Sequence, residues 1–216
     1  MKQLTELPTA EQQWQTITHW LGAGSINIFG LPFAGKDTQG AILAQQLNAP
    51  VIGGGDIMRS DAAVSAAGRE AVNSGGMAPQ EEFLQIVTPY LSQERLAGKP
   101  LVLSSLGRWD GEQQVIFAAA DEAGHPIQAA ILLTIGPDTM RDRWQTSQAD
   151  GSRGDRADDE EHKLDVRMRE FADKTQPVLD FYRDKGLLIE VAGMGDVEAV
   201  AAAVREQLFA RATAQH

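Results

Sequence analysis

Apolar and polar positions follow two rhythms along this chain. Five short runs are apolar almost without interruption: Ser25 to Phe29, Ala49 to Ile52, Leu101 to Leu103, Ala129 to Ile135 and Leu187 to Val191. Such runs, bounded by Gly, Pro or Asp, suit strands buried on both faces. Between them the apolar residues recur every three or four positions. Trp14, Ile17, Trp20 and Leu21 form one such stripe, Leu164, Met168, Phe171, Val178 and Tyr182 another, and Val197, Val200, Val204 and Leu208 a third. Each stripe predicts a helix with one face in the core. Thr9 to Gln12 reads as a capping box that starts the first helix, and Gly22 and Gly24 end it. Asp196 caps the last. Thr175-Gln176-Pro177 predicts the end of one helix and the start of the next. Five strands each followed by helix give an α/β fold: a five-stranded parallel sheet covered on both faces, with ligands at the carboxyl strand ends near the switch point.

The first strand runs into GLPFAGKDTQ, Gly30 to Gln39. Gly30 and Gly35 bracket four residues before Lys36, so the backbone can close into a ring whose N–H groups, with the helix N-terminus behind them, face one anion. Lys36 adds a mobile positive charge and is the only lysine between Lys2 and Lys99. The general phosphate-loop pattern places Ser or Thr after the lysine. Here Asp37 stands there, and Thr38 follows. Elsewhere, Gln145 to Asp155 is polar and contains Gly151, Ser152 and Gly154, which predicts a mobile surface loop.

Composition narrows the partners. A chain of 216 residues is one ordinary domain, and a formal charge of -11 argues against a nucleic-acid polymer or an anionic membrane as partner. An anionic small molecule must therefore meet local arginines, and Arg141, Arg143, Arg153, Arg156, Arg167 and Arg169 fall within one span. The chain has no cysteine, which excludes disulfides and thiolate metal sites. The N-terminus carries no apolar leader-like run, and no run approaches a membrane span, so a cytoplasmic protein is expected. The histidines are scattered without ligand spacing.

Pro32 within the loop and Thr38-Gln39 after it make this segment similar to the phosphate loop of adenylate kinases and related nucleoside monophosphate kinases. Several later segments share the resemblance. Gly55 to Arg59, GDIMR, resembles the start of the family's monophosphate-binding region, and implies that Arg59 pairs with the acceptor phosphate. Ser104-Ser105-Leu106-Gly107-Arg108 half keeps the family's Asp-Gly-Phe-Pro-Arg: Arg108 matches, while Ser104 replaces the aspartate that holds magnesium through water. The glutamine that usually reads the acceptor base falls on Glu112. Pro137-Asp138 precedes Arg143, which aligns with the arginine over the ATP adenine and phosphates, with Arg141 one possible substitute. Arg156-Ala157-Asp158-Asp159 resembles the end of a short lid, and Arg167 matches a further phosphate-facing arginine. Gly193-Met194-Gly195 falls where the family's backbone lines the adenine pocket.

The resemblance implies a P-loop domain over 26–216 behind an N-terminal helical extension over 1–25, with a monophosphate-binding region over 54–79 and a short lid over 145–158. It implies ATP held by Gly30, Phe33, Ala34, Gly35, Lys36, Asp37, Thr38 and Arg143. The acceptor falls to Gly54, Arg59, Arg108, Glu112, Arg156 and Arg167, and transfer to Lys36, Arg108, Arg143, Arg156 and Arg167. Asp37 is the candidate for Mg2+, taking the role that Ser104 leaves vacant; the alternative is that it pairs with an arginine or caps the following helix. The expected activity is transfer of the terminal phosphate of ATP to a nucleoside monophosphate, first of all AMP, by a monomer. Two alternatives stay open: a nucleotide-binding sensor with weak transfer, suggested by Ser104 and Ser105, and a kinase for CMP, UMP, GMP or a deoxynucleotide.

Overall fold

A computed structural model of the chain describes residues 7–74, 76–150 and 161–214. The apolar runs are strands β1 (Ser25–Gly30), β2 (Val51–Gly53), β3 (Leu101–Ser104), β4 (Ile127–Thr134) and β5 (Leu188–Ala192). They form one five-stranded sheet in the order β2-β3-β1-β4-β5, every pair parallel. β2 begins two residues later than its apolar run. The Ala49 N–H is spent closing the preceding helix onto the Ala44 carbonyl at 2.9 Å, and Pro50 has no N–H to give a ladder.

β1 is buried along its whole length, and its side chains alternate between two cores. Ile26 and Ile28 pack with α1 (Ala10–Leu21), α2 (Lys36–Leu47) and α10 (Val197–Ala214). Phe29 joins the other layer, built by α5 (Gln80–Leu91), α6 (Glu112–Glu122) and α9 (Gln176–Asp184), where its ring lies 5.7 Å from that of Tyr182. The capping box at Thr9 is formed as the sequence predicts. Ile17 and Leu21 of α1 are buried in the first core, and the Arg205 guanidinium donates to the Gln13 amide oxygen at 2.7 Å. The N-terminal helix is thus a packed layer against α10.

Two predicted boundaries move. α7 (Pro137–Asp150) extends through the first part of the expected surface loop; residues 151–160 lie outside those described. Its residues are polar, but Thr146 and Ser147 turn their hydroxyls back to helix carbonyls, of Asp142 at 2.9 Å and Trp144 at 2.8 Å. Polarity therefore signals a solvated helix here, and the glycines begin only at Gly151. At Thr175-Gln176-Pro177 the helix is not broken. α8 (Glu161–Glu170) passes into a π-helical turn, Phe171–Thr175, that leads directly into α9. Pro177 offers no N–H and its ring crowds the carbonyl four residues back, and a widened turn accommodates both.

After β1 the chain runs to one edge of the sheet and after β4 to the other, so a crevice opens above the carboxyl ends of these neighbouring central strands. The loops after β1, β3 and β5 all reach it.

Candidate active site

The loop after β1 turns tightly because Gly35 takes φ +92°, in the left-handed region that costs other residues strain. Phe33 also has a positive φ, +61°. Lys36 opens α2, and the first-turn N–H groups have no acceptor within the helix, so they face the ring. A cavity of about 640 Å³ stands above this loop, lined by Phe33 to Gln39 on one side, Arg143 on another, and Gly193 with Gly195 to Glu198 after β5 on the third. Arg143 ties these walls together. One guanidinium nitrogen donates to the Phe33 carbonyl at 3.2 Å and another to the Gly193 carbonyl at 2.7 Å. The buried Gln39 amide adds a third tie, donating to the Val197 carbonyl at 3.0 Å. Arg141 does not line this cavity; it meets Asp165 at 3.9 Å on the exposed side of α7.

On the far side of Lys36 a smaller cavity of about 100 Å³ is lined by Lys36, Asp37, Arg59, Ser104, Arg108 and Arg167, among others. Lys36, Arg108 and Arg167 share a third cleft with Gly30 and Thr175. Three cations, from α2, the loop after β3 and α8, thus converge beside the phosphate loop. Arg59, on α3 (Gly54–Ser60), pairs with Asp56 at 2.6 Å and lines the same space. Arg156 lies outside the described residues.

Arg108 owes its place to three contacts that the sequence reading did not identify. Asn27, fully buried on β1, donates its amide to the Leu106 carbonyl at 2.8 Å and accepts from the Leu106 N–H at 3.2 Å. Thr175, in the π-helical turn, donates its hydroxyl to the Arg108 carbonyl at 3.0 Å. Lys174 sits 4.0 Å above the Trp109 ring, a cation–π contact that fixes the next residue. Asn27 carried a signal: it is the one polar side chain between Ile26 and Phe29. Nothing in the sequence pointed to Thr175.

The family model for adenylate kinase matches residues 28–187. The chain belongs to the adenylate kinase family. It is similar to the adenylate kinase of Prochlorococcus marinus (strain MIT 9211), 32% identical over 183 residues that cover 83% of this chain and 94% of that one. The adenylate kinase of Synechococcus sp. (strain CC9902) is 33% identical over 175 residues, 79% of this chain and 91% of its own. That of Clavibacter michiganensis subsp. michiganensis (strain NCPPB 382) is 31% identical over 188 residues, 85% and 92%.

Where this member departs from the adenylate kinase pattern, the geometry is informative. Ser105, at the family's glycine, takes φ +51°. Its hydroxyl and its N–H both donate to the Ile28 carbonyl, at 3.2 and 3.0 Å. These bonds offset a left-handed cost of about 1–2 kcal/mol for a residue with a Cβ. Asp37 is half-exposed and meets the Lys36 ammonium at 3.4 Å. Gly54 leaves room for protein, since a Cβ there would stand 2.9 Å from the Phe83 ring.

Glu112 is buried at 3 % exposure and accepts from the Trp109 N–H at 3.1 Å. Burial pushes its carboxyl up from the usual 4.5 to about 7, against the opposing pull of the Trp109 N–H, Arg108 and Lys174. The folded chain thus binds this proton more tightly than the unfolded one. The associated stability is complete below 4.5 and lost as pH rises towards 7. Glu112→Gln is therefore expected to be more stable than wild type at pH 8, by about 3 kcal/mol at most, and to lose that advantage below the unfolded value. Urea unfolding at the two pH values checks this.

Proposed function

We propose that this chain is an enzyme that transfers the terminal phosphate of ATP to a nucleoside monophosphate, with AMP the leading acceptor. One observation carries the assignment of sides: Lys36 lines both the large cavity above the phosphate loop and the smaller one that holds Arg59, Arg108 and Arg167. ATP fills the first and the acceptor the second. An acceptor phosphate oxygen forms the new bond to the terminal phosphorus, and the bond from that phosphorus to the bridging oxygen of ADP breaks. The acceptor is already an anion, so no general base is needed. The protein's task is in-line positioning and spreading positive charge around the moving group.

Within that reading, Gly30, Phe33, Ala34, Gly35 and Thr38 form the anion-binding ring and helix start, and Lys36 bridges donor and acceptor phosphates. Arg143 already spends in-plane donors on two carbonyls, which suits it to stack its planar face against the ATP base or ribose. Arg108 and Arg59 hold the acceptor phosphate, Gly54 and Glu112 border its sugar and base, and Arg167 meets the transferred group. Arg156 and a lid over 145–158 are assigned by the Arg-x-Asp-Asp match to covering the phosphates and excluding water. A monomer working in the cytoplasm completes the proposal. It is supported by the charge of -11 and a chain without cysteine; among the described residues no helix is long and apolar enough to cross a membrane.

Among the described residues, Asp37 is the carboxylate best placed for Mg2+. Among the described residues no group of three His, Cys, Asp or Glu side chains could hold a metal ion, whereas Mg2+ is ordinarily held by one or two carboxylates together with substrate phosphates and water. Asp37, bordering both cavities, is the carboxylate placed for that. When bound, the ion offsets phosphate charge and orients the polyphosphate. Without it, a carboxylate about 4 Å from a phosphate oxygen would repel it by on the order of 1–4 kcal/mol. Asp37→Asn is accordingly expected to need several-fold more magnesium for half-maximal rate. A magnesium titration of both proteins checks it, and an unchanged requirement takes Asp37 out of metal binding.

The activity itself is tested by incubating the protein with ATP, magnesium and each of AMP, GMP, CMP, UMP and dAMP, and identifying diphosphates by chromatography. Formation of ADP from AMP above that of the other diphosphates is the expected result. Absence of every diphosphate rejects the reading.

A further inference from the structure

Arg59, the proposed partner of the acceptor phosphate, sits in the last turn of the short helix α3. The carbonyls of such a turn have no partner inside the helix. A side chain of α4 (Ala66–Asn73) supplies one. The half-buried Arg69 guanidinium donates from one terminal nitrogen to the Arg59 carbonyl, and from the other to the carbonyls of Asp61 at 3.0 Å and Val64 at 3.4 Å. Three backbone carbonyls at and beyond the end of α3 are thus gathered on one planar fork, a geometry that an ammonium does not reproduce.

The other end of α4 reaches the second acceptor arginine. Gly76 folds back on the helix, its N–H donating to the Ala71 carbonyl at 3.0 Å, and its own carbonyl accepts from the Arg108 guanidinium at 3.5 Å. The first turn of α4 is fastened to α5. The Glu82 carboxylate accepts from the Ser65 N–H and from the Ser65 hydroxyl at 3.0 Å, and that hydroxyl caps α4 by accepting from the Gly68 N–H at 3.0 Å. Gly68 leaves the room for this clasp, since a Cβ there would stand 2.5 Å from the Glu82 carboxylate. Between these fastenings Val72 of α4 lines the small cavity shared with Arg59 and Arg108, whereas Arg69 and Glu82 line no part of it.

We propose that α4 is a strut that sets the separation of Arg59 and Arg108, and that Arg69 and Glu82 are positioning residues for acceptor binding. Two guanidinium groups share one phosphate only when both stand at hydrogen-bonding distance together, and a displacement of about 1 Å far from the chemistry can cost up to about 10²-fold. Arg69 acts through the backbone of Arg59, and Glu82 through the seat of the whole helix. The inference rests on Arg59 and Arg108 holding the acceptor phosphate, and it names what holds them in register.

Calorimetric Kd values for AMP and for ATP in the wild type, Arg59→Ala, Arg69→Lys and the double variant, with turnover followed on the same samples, test it. Arg69→Lys keeps the charge and loses the fork. It is expected to weaken AMP about tenfold and ATP less than about twofold. In the Arg59→Ala background the same change should add less than about twofold, because the residue whose placement it spoils is gone. Gly68→Ala is a second arm: alanine favours α4 as a helix but displaces Glu82, so a several-fold weaker AMP does not come from a weaker helix. An AMP Kd that stays put in a folded Arg69→Lys or in Gly68→Ala overturns the inference, as does equal weakening by Arg69→Lys with and without Arg59. If Arg59→Ala itself leaves AMP binding intact, the assignment of Arg59 fails and the strut with it. Absence of turnover beside the expected Kd pattern would instead reject the kinase reading and leave the strut standing.

Discussion

Lys36→Met is expected to fold as the wild type does and to transfer phosphate about 10²–10³-fold more slowly, the cost typical of removing one donor aimed at developing transition-state charge. The fold should survive because methionine reproduces the packed stem of Lys36, and the ammonium's partner Asp37 is half-exposed and can turn to water. Catalysis should not survive, because Lys36 is the side chain common to the cavity proposed for ATP, the Arg59–Arg108 cavity and the cleft with Arg167. A methionine there leaves the negative charge of two phosphates to the arginines alone. Single-turnover kinetics at saturating ATP and AMP, with circular dichroism to confirm folding, measure the loss. A folded variant with near-normal kcat would remove Lys36 from the transfer step.

The phosphate loop was legible because its physics is local. Glycine spacing, an apolar run before it and a helix-forming run after it are contained in a few residues, and Gly35 duly takes a positive φ. Strand number was legible for a related reason, since a parallel sheet buried on both faces leaves continuous apolar runs such as Ala129 to Ile135. What escaped depends on partners distant in sequence. Asn27 reads as a blemish in a strand until Leu106 is beside it. Thr175 reads as the last residue before a helix break until the π-helical turn carries it to the Arg108 carbonyl. Gly54 falls to the acceptor side by resemblance alone, and that a Cβ there would stand 2.9 Å from the Phe83 ring comes only with the fold. Polarity misled at Gln145 to Asp150, because a solvated helix and a surface loop have the same composition and only the backbone hydrogen bonds separate them. Glu112 shows the reverse: its position was legible, but the displaced carboxyl depends on burial that no local pattern reports.

Arg108→Ala tests whether the loop after β3 serves the acceptor. Its backbone should stay in place, because Asn27 grips the Leu106 backbone and Thr175 donates to the Arg108 carbonyl, while the guanidinium's bond to the Gly76 carbonyl at 3.5 Å is lost. What goes is the charge beside Lys36 and Arg167. A hydrogen bond to a charged group contributes about 1.5–3 kcal/mol, so KM for AMP should rise roughly 10- to 150-fold, while KM for ATP, held in the cavity that Arg108 does not line, should change less than about threefold. Asn27→Leu supplies the complementary case. It leaves the guanidinium present but releases the Leu106 backbone, so it should raise the AMP KM in the same direction and by less, with ATP again little affected. The two variants separate charge from placement. An equal rise for both substrates in Arg108→Ala would mean that this arginine serves the transferred phosphate in general. An unchanged AMP KM in a folded Asn27→Leu would show that Thr175 and the sheet hold Arg108 without the buried amide.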